Sequence, residues 1–95
     1  MTSYLISYEL SPHDEHREAA FVAALQAFED RIQAMTTVWF ICSPWSADQI
    51  RGHLGRCLGP EDSLVVEPLP VGKGWSGWIG QDVRAWLEKH LGPSC

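Results

Sequence analysis

Apolar residues occupy alternate positions near the start of the chain. Tyr4, Ile6, Tyr8 and Leu10 share one side of a period-2 strand, and Leu5 lies on the other, followed by Glu9. This pattern predicts a strand over 3–10. Ser11 and Pro12 then suggest a helix start, Ser as N-cap and Pro at the first helical position. The acidic Asp14, Glu15 and Glu18 suit the positive end of a helix dipole. Phe21, Ala24, Leu25, Phe28 and Ile32 keep helical spacing, which predicts a helix over 14–31. Two short strands are expected over 32–35 and 38–43, parted by Thr36 and Thr37. Pro44 ends the second. Ser46-Ala47-Asp48-Gln49 is a capping box, and Ile50, Leu54, Cys57 and Leu58 form the apolar stripe of a helix that Gly59-Pro60 stops. A strand over 63–67 is closed by Pro68 and Pro70. After a glycine-rich run over 71–80, Val83, Trp86, Leu87 and Leu91 predict a last helix over 81–91, with Gly92-Pro93 beyond it.

Strand, helix, strand, strand, helix, strand and an extra helix make an α+β chain. The order predicts a ferredoxin-like βαββαβ arrangement: an antiparallel four-stranded sheet with two helices on one face, plus a short C-terminal helix. One domain is expected over 1–95, with its core in 1–70 and a Gly/Trp-rich loop and final helix in 71–95. The strand over 38–43 is apolar on both sides, Val38, Phe40 and Cys42 against Trp39 and Ile41. The expectation is that Leu5, Trp39, Ile41 and Val65 point away from the two main helices. Burying four such side chains contributes about 6–12 kcal/mol, comparable with a whole domain's stability of about 5–15 kcal/mol. That second face therefore needs a cover: the C-terminal segment, a second copy, or both. Two copies related by a two-fold would offer the same patch to each other, so a homodimer is expected.

Composition narrows the chemistry. The 95 residues carry 12 acidic and 7 basic side chains, for a net charge of −5. The bases are scattered, which disfavours a nucleic-acid surface built on clustered Lys and Arg. Three cysteines without a CxxC argue against a disulfide framework or zinc knuckle. Cys42 and Cys57 read as core residues and Cys95 as a free thiol. No stretch has the basic and apolar regions of a signal peptide or the length of a membrane span, so a cytoplasmic protein with no membrane partner is expected.

The stretches Y-L-I-S-Y-E-L at the first strand, V-W-F-I-C-S-P-W-S-A-D-Q-I at the third strand and second helix, and E-D-S-L-V-V-E-P-L at the fourth strand carry a resemblance. They look like small ferredoxin-like proteins related to the second CRISPR-associated protein, the dimeric subunit of the spacer-integration complex. Virulence-associated protein D, a ribonuclease, and uncharacterised SinR-like proteins are relatives of the same kind. Trp39 and the late segment from Trp75 to Gly80 match the SinR-like pattern most closely. Many members have an aspartate near the end of the first strand, proposed to bind a divalent metal across the dimer two-fold. Glu9 stands at the matching position, with one more methylene.

Two functions follow from the resemblance and the composition. The first is a non-catalytic interaction module that binds itself or a protein partner and needs no cofactor. The alternative is a Mg²⁺- or Mn²⁺-dependent endoribonuclease, or a nucleic-acid-binding subunit, with Glu9 as catalytic residue and metal ligand and Arg51 and Arg56 positioning phosphate. Other constellations read more simply. His13, Asp14 and His16 could ligate a transition metal, but they are better read as a polar helix start. Gly72-Lys73-Gly74-Trp75-Ser76-Gly77 matches G-x-G-x-x-G, yet no further strand follows, and Trp75 would crowd a pyrophosphate. Trp75 and Trp78 are expected to fold back onto apolar surface rather than stack on bases.

Overall fold

The computed structural model describes residues 1–70, 72, 74–91 and 95. Four strands and three helices follow one another as β1 (Thr2–Glu9), α1 (Glu15–Gln26), β2 (Asp30–Met35), β3 (Val38–Ser43), α2 (Ala47–Gly55), β4 (Ser63–Pro68) and α3 (Gln81–His90). The strands form one antiparallel sheet in the order β2-β3-β1-β4. The protein is α+β, and its strand count and order fit a ferredoxin-like fold. The expected helix stop at Gly92-Pro93 and the basic Lys73 lie outside the described residues.

Local signals set several boundaries as expected. At α2, the Ser46 hydroxyl accepts from the Gln49 N–H at 3.1 Å, and the Gln49 side chain accepts from the Ser46 N–H at 2.8 Å. The start of α1 differs from the expectation. Ser11-Pro12 is a cis peptide, and the N-cap is Asp14, whose carboxylate accepts from the His16 and Arg17 N–H groups. Those two bonds hold the Asp14 carboxyl below its ordinary pKa. The helix also ends at Gln26 instead of running to Arg31. Asp30 and Arg31 are drawn into the sheet opposite Cys42 and Ile41, so pairing overrides helical periodicity there.

Residues directly opposite in an antiparallel pair share a face. Tyr4 faces Ile41 and Ile6 faces Trp39, so Trp39 and Ile41 belong to the side covered by α1 and α2. They pack with Ile6, Phe21, Leu25, Ile50 and Leu54 in the main core. This corrects their expected place on the second face: β3 is apolar on both sides, and only its register with β1 fixes which side is which. The second face instead carries Leu5 and Phe40, opposite each other in register. Val83 and Leu87 of α3 close over Phe40, with Leu5, Ile32, Leu69, Trp75 and Trp86 around them. Val65 lies on this face as expected but remains 53% exposed, because β4 is an edge strand and α3 packs toward β2.

Candidate functional site

The three residues singled out for catalysis and phosphate binding occupy separate places. Glu9 ends β1, exposed and opposite Ser63 of β4. Among the described residues its carboxylate makes no hydrogen bond or ion pair. Arg51 lies 3.9 Å from Asp48 on the open surface of α2. Arg56 follows five positions later, about 140° around a helix axis from Arg51, so the two do not form one basic patch. Among the described residues, no three His, Cys, Asp or Glu side chains converge to hold a metal. His13 and His16 are exposed at the start of α1. Trp75 folds back as expected, joining the α3 layer with the Arg84 guanidinium 5.1 Å from its ring centre. Trp78 does not; it is fully exposed.

A polar knot forms instead around Asp62, whose side chain is fully buried. Its carboxylate accepts from the Ser11 N–H at 2.8 Å and the Gly59 N–H at 2.7 Å, and it pairs with Arg17. Arg17 also donates to the Pro12 carbonyl at 3.1 Å. Removing Arg17 would leave the buried Asp62 carboxylate without its counter-charge. The knot ties the turn before α1 to the turn before β4.

A second cluster sits on the far face, where Asp30, Cys42 and Ser3 form one row across β2, β3 and β1. The C-terminal segment engages all three. Asp30 accepts from the Trp86 indole N–H at 3.1 Å, and its other oxygen lies 2.5 Å from His90 Nε2. The Ser3 hydroxyl donates to the His90 carbonyl at 3.0 Å. Cys42 forms a disulfide with Cys95. The expected free thiol at Cys95 and the absence of a disulfide are thus corrected. The bond joins positions 53 residues apart, a pairing that cysteine spacing does not encode.

The third cluster is aromatic. Phe28 follows α1, Trp45 precedes α2 and His53 lies on α2. Their ring centres are 5.7 Å apart for Phe28–Trp45, 5.7 Å for Phe28–His53 and 5.4 Å for Trp45–His53, and the planes meet at 78°, 87° and 73°. These side chains line a hollow of about 200 Å³, together with Met1, Glu29, Cys42 and Pro44. Its mounting is firm. Tyr4 donates to the Trp45 carbonyl at 2.6 Å, the Ser43 hydroxyl accepts from the Trp45 N–H at 3.1 Å, and Arg31 donates to the Phe28 carbonyl at 3.1 Å. An adjoining open hollow contains Gln49 and Arg56. Nothing in the one-dimensional pattern links the three rings; the sole sequence signal is Trp45 in the short link between β3 and α2.

Fold and clusters define a small α+β protein whose polar groups mostly pin its own segments together. No protein-family model matches the chain, and no curated protein matches it. The crystal structure of a hypothetical protein from Thermus thermophilus is similar, with a TM-score of 0.62 and 17% sequence identity, over 83% of this chain and 94% of that one. At this identity the similarity is one of fold.

Proposed function

We propose that the protein is a non-catalytic interaction module that assembles as a homodimer through the free edge of β4, the kind of assembly that its resemblance to the dimeric CRISPR-associated subunit implies for a ferredoxin-like βαββαβ domain. The observation that carries this reading is the outer side of β4. The strand pairs with β1 alone among the described residues, and Val65 stands half in water beside it. An unpaired edge with an exposed β-branched residue is a template for strand addition. A two-fold beside Val65 would join two sheets into one and bring the two Val65 side chains together. The α3 layer already covers Phe40 and Leu5 within one chain, so this reading assigns the two-fold to the edge rather than to the sheet face.

Light scattering over a concentration series tests it. Twice the chain mass is expected, falling to the chain mass in Val65→Lys, whose exposed site leaves folding intact. A wild-type chain that stays monomeric throughout, or a Val65→Lys variant that stays dimeric, refutes the edge interface. The alternative, a divalent-metal endoribonuclease using Glu9, is tested by incubation with labelled RNA and DNA with and without Mn²⁺. Cleavage lost in Glu9→Ala would replace the non-catalytic reading. In the cytoplasm, the location expected from the sequence, a disulfide such as Cys42–Cys95 would be a reversible bond.

A further inference from the structure

Trp45 is 42% exposed, although it sits on a backbone pinned from two sides and forms one wall of a hollow. An indole held rigidly at the mouth of an apolar recess leaves surface that a ligand would cover, with little ordering cost on binding. The ring arrangement indicates the ligand's chemistry. Phe28, Trp45 and His53 stand nearly at right angles to one another at almost equal spacing. All three rings line one hollow of about 200 Å³, so a compact cation seated there would lie beside aromatic carbon, where cation–π attraction acts on a cation near a ring face. Faces of aromatic rings carry negative potential, and an alkylated ammonium is a bulky, weakly hydrated cation that suits a recess lined with carbon. Glu29, exposed and among the lining residues, supplies an opposite charge, and the protein's net charge of −5 adds long-range attraction.

We propose that the corner formed by Phe28, Trp45 and His53 binds a methylated ammonium group, with Glu29 as its counter-charge. A nucleotide is the rival occupant, because a base could stack on Trp45 with its phosphate toward Arg56 in the adjoining hollow. The cation is favoured because three rings and a carboxylate line the same hollow with no two rings parallel, whereas a flat base calls for parallel faces. The site lies at the opposite end of β1 from Glu9 and does not depend on the β4 interface.

The test uses the full chain without an N-terminal tag, because Met1 lines the hollow. Choline and its uncharged isostere 3,3-dimethylbutan-1-ol are titrated while indole and imidazole resonances are followed by NMR, with adenosine monophosphate as a third arm. Saturable choline binding is expected, at least tenfold tighter than that of the isostere, with shifts confined to Trp45, His53 and their neighbours. Trp45→Ala should abolish it, Trp45→Phe should retain part of it, and Glu29→Gln should weaken it several-fold. If Trp45→Ala fails to fold, the exposed Glu29→Gln and the conservative Trp45→Phe carry the comparison. The proposal is overturned by the absence of saturable choline binding, by equal binding of the isostere, by choline binding that Glu29→Gln leaves unchanged, or by shifts at these rings with the nucleotide alone.

Discussion

His90 Nε2 lies 2.5 Å from Asp30 Oδ2, joining the last helix to the first residue of an edge strand. The other ring nitrogen, Nδ1, lies 2.7 Å from the Trp86 carbonyl, which can only accept, so Nδ1 carries a hydrogen. The imidazole also stacks on Trp86 with ring centres 3.9 Å apart. Asp30→Ala would leave the Trp86 and His90 ring nitrogens without their partner. A loss of about 1–3 kcal/mol is expected, measured by denaturant unfolding. Amide exchange in α3 should accelerate more than in α2, because the clasp holds α3 in particular.

Trp39 and Val65 should separate the folded core from the assembly surface. Trp39 is 5% exposed between the sheet and the main helices, so Trp39→Ala should cost about 3–5 kcal/mol by leaving a cavity. Its dimer mass should persist at concentrations where the chain is folded. Val65→Ala, at an exposed position, should change unfolding free energy by no more than about 0.5 kcal/mol. Thermal melts paired with light scattering check both.

Closing a loop across 53 positions restricts the unfolded chain. In the chain-entropy account a loop of that length contributes about 4 kcal/mol. Cys95→Ser, or treatment with a dithiol reductant, should therefore lower the melting temperature, whereas Cys57→Ser should not. Alkylation before and after reduction, read by mass spectrometry, should label one cysteine and then three.

Burial, followed by the hydrogen bond to Glu18, raises the Tyr8 hydroxyl above its ordinary pKa. The unfolded chain releases this proton near pH 10, while the folded chain still holds it. Between those two values the native state binds more protons, so stability falls as pH rises, and it is fully present below about pH 10. Tyr8→Phe should flatten that alkaline decline, as followed by unfolding midpoints from neutral to strongly alkaline pH.

Features built from neighbouring residues were legible in the sequence. The capping box at Ser46 needs only four consecutive residues, and β3 runs over Val38–Ser43 as its β-branched and aromatic content predicts. The start of α1 was less so, because the N-cap is not the expected Ser11. Ser11 gives its N–H to the distant Asp62, and Asp14 reaches the helix N–H groups. The facing of Trp39 was hidden because both sides of β3 are apolar, leaving only the Ile6–Trp39 register to decide. The corner of Phe28, Trp45 and His53 was not legible at all, because its walls come from three separate stretches of chain. For the same reason the Asp30–Cys42–Ser3 row becomes visible only once three strands lie side by side.

The bond from the Ser3 hydroxyl to the His90 carbonyl brings the start of β1 and the end of α3 to one spot. A short bridging peptide would make the backbone continuous there, and the Thr36-Thr37 turn offers an exposed place to reopen it. Such a rewired molecule would begin with β3 and end with β2, pairing strands that are no longer neighbours along the chain.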